Sequence, residues 1–546
     1  MYMTRTRGKS FMKKKYTVTF LPQNYVLEVE EGTTLLAAEQ LAGLEPDAPC
    51  GGEGNCGKCK VNIVAGVKTG VVLACQTPVT CDMKVDTMYQ EKIQKILTDG
   101  FSRSVEIAPG VSRPEGEEDK PFYLMAFDIG TTTIVGYLLD GRTGKELGIA
   151  SMMNPQHQFG ADVISRSNYV LEHGGKEMQA VVQKALNQLI GQACAGAGVS
   201  RNDILQVTVV GNTCMHHLFL GISPDSLVHA PYLPAVKDGM ILEAADNGLQ
   251  IGEGGKLMIL PNIAGFVGAD TVGCMLSVAF DQLEPMTLMI DIGTNGELVM
   301  GNKNHMVTTS TAAGPAFEGA KIECGMRGSK GAISHITVEN NELKLEIIEN
   351  VKPVGICGSG LIDILAVMIR HGFIDNYGRL CEADELEDAF AISQAHRIQE
   401  KDGKPVFILV PAEESANGTD IYISQKDIRE VQLAKGAIAA GIQIMAEKLS
   451  IRPEDIQQVY LAGAFGNYMD AENACEIGLI PYELRKRIIP IGNAAGEGAK
   501  LAVVNRGQYD YACEMAKKAE FIELATESCF QDTFVDELEF ARAVER

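Results

Sequence analysis

Across 546 residues no apolar run approaches the ~20 residues a membrane-spanning helix needs, so a membrane partner is not expected. No low-complexity tract interrupts the chain. Apolar residues make up 46% at a mean hydropathy of +0.02, the balance of ordinary globular domains. Positive charge is scarce: 48 lysines and arginines face 71 aspartates and glutamates, a net charge of −23. That argues against nucleic acid, which demands a basic face. The N-terminus, MYMTRTRGKSFMKKKY, is basic but lacks the apolar segment of a secretory signal. It reads as a disordered leader, with Met12 as a second candidate start. Fourteen cysteines in such a chain point to metal ligands and buried thiols rather than disulfides, and so to the cytoplasm. The length exceeds what one core can serve and predicts at least three domains.

The chain is organised around CGGEGNCGKC, where Cys50, Cys56 and Cys59 stand at a C-x5-C-x2-C spacing; Cys75 follows in LACQT. Four thiolates are the ligand set of a [2Fe–2S] cluster. Gly51, Gly52, Gly54 and Gly57 let the backbone wrap closely and aim N–H groups at sulfur. A zinc ribbon would pair two C-x2-C knuckles, and only one is present. Residues 16–31 read as a hairpin, Thr33 precedes a short helix in LLAAEQLA, and Gly43 ends it. The stretch resembles the β-grasp ferredoxins, whose plant-type spacing is C-x4-C-x2-C. The arm here is one residue longer, as in the adrenodoxin-like branch, which leaves the potential undetermined. Cys81 competes as fourth ligand, but LACQT matches the family's closing motif better, so Cys75 is preferred. The domain is expected over 14–92. A helix in QEKIQKIL and the charged RPEGEEDKPF form a connector over 93–120.

Two segments echo each other: LMAFDIGTTTIVGYLL at 124–139 and TLMIDIGTNGELVM at 287–300. Each is an apolar strand, Asp-Ile-Gly-Thr, then a second apolar strand. A tight turn of Gly130, Thr131, Thr132 and Thr133, or of Gly293, Thr294, Asn295 and Gly296, presents amides and side-chain polar groups to phosphate oxygens. Asp128 and Asp291, at the ends of the first strands, are placed to hold Mg²⁺ beside a transferred phosphoryl group. Two such hairpins facing each other clamp a triphosphate. Glu297 either orients the attacking water or is a surface carboxylate. The pattern resembles the phosphate motifs of the actin/hsp70/sugar-kinase superfamily, which implies duplicated ribonuclease-H-like lobes over ATP, here 121–282 and 283–546.

Other pieces fall in that order. Residues 176–190 form an amphipathic helix. GNT in QVTVVGNTCMHHLFL resembles a connecting motif, and His216 and His217, about 100° apart on a helix, suit packing rather than a shared ion. Gly358 and Ser359 open a helix whose free amides can receive anions. A helix from Ile428 buries one face and exposes Lys435, a candidate nucleotide contact. Gly463, Phe465 and Gly466 in VYLAGAFGNYMD resemble the adenosine motif. IIPIGNAAGEGAKLA is a second strand–turn–helix unit, expected in the same lobe.

The expected fold class is therefore multidomain α/β, a β-grasp [2Fe–2S] domain followed by a two-lobed actin-like ATPase body. That union, with NPQHQFGADVISR, APYLPAV, PNIAGFVGAD, TAAGPAFEGA and FIELATESCFQDTF, resembles the reductive activators of corrinoid proteins. Cys475, Cys513 and Cys529 are too scattered for a C-terminal cluster, so the resemblance is to the branch with a single N-terminal one. The resemblance implies ATP-driven transfer of one electron to an inactive Co(II) corrinoid, restoring Co(I). It implies [2Fe–2S], ATP and Mg²⁺ as cofactors, a low-potential donor, and a corrinoid protein of a methyltransferase or O-demethylase system as partner. It also suggests a homodimer. The alternatives are an activator ATPase of a radical dehydratase or reductase, a small-molecule kinase with a ferredoxin domain, and an ATP-switched binding module.

Overall fold

The computed structural model describes residues 14–540 except 22–23, 45, 47, 49–51, 53, 55–56, 88–102, 112–118 and 294. The chain divides into two compact units, one built from residues up to 92 with 157–165, the other from 93–156 and 166 onward.

In the first unit β1 (Lys15–Leu21) and β2 (Tyr25–Glu30) form the expected antiparallel hairpin. With β3 (Lys60–Ala65), β4 (Gly70–Leu73) and β5 (Met83–Asp86) they make one sheet in the order β2-β1-β5-β3-β4. Alternating residues Val18, Phe20, Val61, Ile63 and Val85 face a core shared with Leu35 and Leu36 of the Leu35–Leu41 helix. That helix is capped by Thr34, whose hydroxyl accepts from Ala37 N, one residue later than the Thr33 expected from sequence. Gly43 closes it at φ 73°.

The second unit holds two six-stranded sheets of matching design. In the first, β6 (Tyr123–Ile129), β7 (Thr133–Asp140) and β8 (Glu146–Met153) form a meander. On its other side β6 pairs in parallel with β9 (Ile204–Gly211) and β9 with β11 (Lys256–Ile259), edged by β10 (Met240–Glu243). In the second, β12 (Thr287–Ile292), β13 (Gly296–Gly301) and β14 (Met306–Thr311) repeat the meander. Two small sheets follow: β15 (Ala332–Glu339), β16 (Glu342–Ile347) and β17 (Gly355–Ile356), then β18 (Ile398–Lys401), β19 (Lys404–Val410) and β20 (Ile421–Ser424). The chain then returns as β21 (Gln458–Ala462) and β22 (Ile488–Gly492), parallel to β12, with β23 (Ala519–Phe521) at the far edge. The orders β8-β7-β6-β9-β11 and β14-β13-β12-β21-β22 are thus the same order twice. The central strands β6 and β12 are buried along nearly their whole length, which is why they read as continuous apolar runs.

Two helices fasten the duplicated halves. Ala494–Val504 follows β22 of the second sheet, yet Ala494, Ala499 and Val503 share a core with Leu124, Ala126 and Val210 of the first. The IIPIGNAAGEGAKLA unit expected within one lobe is therefore split between both. Ala269–Val278 packs against this helix at Gly273 and Gly498, where no side chain intervenes. Part of the expected connector is also docked: Ala108 N donates to Val504 O, and Arg506 N to Ala108 O. The helix expected in QEKIQKIL lies outside the described residues. Among the described residues no helix is long and apolar enough to cross a membrane.

Candidate functional site

Cys59 is buried at the start of β3, and its Sγ lies 3.2 Å from that of Cys75 on the short turn Ala74–Gln76. Ala74 N donates to Cys59 O and ties the two segments together. Gly52, Gly54 and Gly57 all have positive φ, as a loop wrapping a metal group requires. A β-carbon on Gly54 would collide with the Gln76 amide. Two thiols in contact, one of them buried, beside a glycine-rich loop suit a thiolate-ligated cluster. Cys50 and Cys56 lie outside the described residues. Cys81 sits near Gly66, at the opposite end of β3 from Cys59. At ~3.3 Å per residue the seven-residue separation spans roughly 23 Å, too far for a ligand to the same cluster.

In the second unit the two echoing segments become equivalent hairpins. Gly130 N donates to Thr133 O at 2.9 Å and Gly293 N to Asn295 O at 2.9 Å, so each turn closes on itself. Thr131, Thr132 and Thr133 keep part of their surface, as do Gly130, Gly293 and Asn295. Gly296 is buried, and Thr294 lies outside the described residues. A Thr132 hydroxyl to Glu318 contact of 3.1 Å joins the first turn to the short Pro315–Glu318 helix that follows β14.

Asp128 and Asp291 occupy equivalent places at the ends of β6 and β12, and two further acids lie near them, Glu297 from the second motif segment and Asp270 from outside both. Asp270 stands in the first turn of the Ala269–Val278 helix, and Glu297 on β13 is held by Ser310 at 3.4 Å. Removal from water pushes Asp128 and Asp270 up to about 7 and Asp291 to about 6. The Asp291 charge adds to the rise of both Asp128 and Asp270. Burial, then the Asp270 and Asp291 charges, hold Glu297 well above the usual carboxylate range, although part of its surface stays open. Cys274, one turn past Asp270, reaches Asp291 at 3.8 Å, and its thiol is pushed up by the same surroundings. Asn493, the cap of the Ala494–Val504 helix, bonds Asp128 and donates to the Tyr137 hydroxyl at 3.1 Å. Carboxylate oxygens are the ligand type that a hard divalent cation takes. Among the described residues no three His, Cys, Asp or Glu side chains are grouped so as to hold a metal ion by themselves.

The remaining expected residues divide. Gly463, at φ 82°, follows β21 so closely that a β-carbon there would lie 2.5 Å from Asp291 Oδ1, so this turn does reach the cluster. Gly466 packs on Leu461, while the Phe465 side chain is outside what is described. Gly358 and Ser359 begin the Gly358–Arg370 helix but are buried against β15, and the Ser359 hydroxyl is committed to Ser334 O at 2.7 Å. Lys435 corrects the sequence reading outright. It is buried, not exposed: its Nζ donates to Glu539 O at 2.5 Å and lies 5.4 Å from the Phe540 ring centre. His216 and His217 are packing residues, His217 joining Thr213 O to Ala235 N.

Asp270 and Asn493 lay within quoted stretches but carried no role there. An acid in a helix's first turn and an Asn at its cap are ordinary helix chemistry, so neither stood out.

Residues 18–80 match the 2Fe-2S iron-sulfur cluster binding domain, 123–283 the RACo middle region, and 285–545 the C-terminal, ASKHA, domain of RACo. The corrinoid activation enzyme RamQ of Eubacterium limosum is 34% identical over 560 residues, spanning 90% of this chain and 94% of that protein. The chain belongs to this family of corrinoid activators. A more distant relative in the family's range is the [Co(II) methylated amine-specific corrinoid protein] reductase of Methanosarcina barkeri, 25% identical over 453 residues and 77% of each chain. The solved structure of a reductive activator for a corrinoid, iron-sulfur protein has a TM-score of 0.70 at 31% identity, over 96% of this chain and 98% of that one. As a family member the chain has a [2Fe–2S]-binding first unit and an actin-like, ATP-binding second unit.

Proposed function

We propose that this chain is an ATP-dependent reductive activator, which passes one electron to the Co(II) corrinoid of a partner protein and restores Co(I). The observation that carries the reading is the likeness to RamQ along nearly the whole chain, cluster unit and ATPase body together. Cys50, Cys56, Cys59 and Cys75 would hold the cluster that supplies the low-potential electron; plant-type centres lie at about −400 mV. Every ~59 mV by which the acceptor lies lower costs tenfold in equilibrium, so an energy source must bias the step. The second unit answers that need. The 130–133 and 293–296 turns would hold the phosphates of ATP, Asp128 and Asp291 would hold Mg²⁺ to neutralise phosphate charge, and Asp270 would orient and deprotonate the attacking water. Closure of the two halves is the two-state element that nucleotide would bias. The partner is a corrinoid protein of a methyltransferase or O-demethylase system, and a low-potential carrier reloads the cluster. We place the protein in a reducing cytoplasm, where the described cysteines, none of them in a disulfide, stay reduced.

The test is anaerobic. Reduced protein is mixed with a Co(II)-state corrinoid protein, and absorbance is followed with and without Mg-ATP. Co(I) should appear only with ATP, and neither Cys56→Ala nor Asp128→Ala should produce it, the latter with an unchanged cluster spectrum and collapsed ATP hydrolysis. Hydrolysis surviving in Asp128→Ala refutes the phosphate-turn assignment. Co(II) persisting across several corrinoid partners while ATP is consumed sends the electron elsewhere.

A further inference from the structure

Arg166, in the Val163–His173 helix, is among the largest fully buried side chains, although arginine is one of the residues most seldom buried. Its Nη2 donates to the carbonyl oxygen of Thr131 at 2.6 Å, and its Nη1 lies 3.3 Å from Met215 Sδ. The flanking carbonyls of the same turn are also held by protein. Gly130 O accepts from Asn154 Nδ2 at 2.8 Å, and Thr132 O accepts from Asn154 N at 2.8 Å. Asn212 Nδ2 donates to the Thr131 hydroxyl at 2.8 Å.

A trans peptide is planar, with its C=O and N–H opposed. Three successive carbonyls turned to protein donors therefore turn the amides of Thr131, Thr132 and Thr133 the other way. A charge-assisted bond to Thr131 O also polarises the peptide whose N–H belongs to Thr132, making that amide a stronger donor. We infer that Arg166 is a positioning residue for the polyphosphate: it fixes and polarises the first phosphate turn from behind, without touching nucleotide. The inference rests on the ATP reading of that turn.

Binding of Mg-ATP and of adenosine is measured calorimetrically on the full-length wild type, Arg166→Met and Arg166→Lys, with thermal melts alongside. Arg166→Met should weaken Mg-ATP about tenfold, the scale of one charge-assisted hydrogen bond, and leave adenosine unchanged. Arg166→Lys keeps the charge and should recover most of the loss. A merely structural role predicts equal losses for both ligands, and equal losses overturn the inference, as does unchanged ATP affinity in Arg166→Met. If Arg166→Met does not fold, Arg166→Lys decides alone: a loss of about threefold confined to Mg-ATP supports positioning, and equal or absent losses refute it. A wild type that binds no Mg-ATP overturns the ATP reading itself, and this inference with it.

Discussion

The substitution Gly498→Ala puts one methyl group where the Ala494–Val504 and Ala269–Val278 helices cross. An ideal β-carbon at 498 would lie on the carbonyl oxygen of Gly273 and 2.5 Å from both its Cα and its carbonyl carbon. Those atoms are backbone and cannot rotate aside, so the helices must part by ~1 Å, and overpacking of this kind costs up to about 3 kcal/mol. For a body of about 420 residues, unfolding entropy scales to ~0.9 kcal/mol per degree, so the melting temperature should fall about 3 °C. The functional loss should be larger. One helix carries Asp270, and the cap of the other holds Asp128 through Asn493. Displacing reacting groups by ~1 Å costs about a hundredfold in rate. The control is the same change at Gly196, exposed in the Lys176–Ala197 helix with nothing within 4 Å of its β-carbon position. There alanine should stabilise by about 0.5–1 kcal/mol and leave turnover alone. Melts by circular dichroism and Mg-ATP turnover read both variants. A Gly498→Ala protein that melts with the wild type and hydrolyses ATP normally would refute the close crossing.

Three further outcomes follow from single residues. Glu39 is 2% exposed, its Oε2 has no hydrogen-bond partner among the described residues, and burial pushes its carboxyl up to about 7. Because the folded state then holds the proton more tightly, stability is lost as pH rises from about 4.5 to 7, by up to about 3 kcal/mol. Glu39→Gln should flatten that slope and raise melting at pH 7.5, and a lower melting point there would mean that the carboxylate has an ionic partner. Cys75→Ser should abolish the visible absorbance of the cluster while Cys81→Ser preserves it; the reverse result would sink the ligand assignment. Lys435→Met should cost about 1.5–3 kcal/mol, the range of a hydrogen bond from a charged donor, with ATP affinity unchanged. A tenfold weaker affinity at an unchanged melting temperature would restore the nucleotide contact.

What was legible in the sequence was local. Each Asp-Ile-Gly-Thr turn and its two strands lie within one short stretch, so the motif and its duplication survive without knowledge of the fold. The cysteine spacing is equally local, and the glycines between show at positive φ why it must be glycine-rich. What was not legible depends on segments that meet only in three dimensions. Lys435 lies on the polar side of its helix by periodicity, and it is the C-terminal segment around Glu539 and Phe540 that covers it. The helix after β22 reads as part of its own sheet's lobe, yet its apolar face completes the core of the other.

The same logic explains why the phosphate turns were seen and their supports were not. A turn is selected for what it presents, so its residues are unusual for any strand connection. Arg166, Asn154, Asn493 and Asp270 act on those turns from other elements, in positions where each is an unremarkable helix or loop residue. Gly273 and Gly498 sit between the two cases. Each is visible as a helix glycine costing about 1 kcal/mol against alanine, a cost that asks for a reason, but only the crossing supplies one. An unexplained glycine inside a helix is thus the sequence's nearest approach to announcing a tertiary contact, and here the contact it announces joins the two halves of the site.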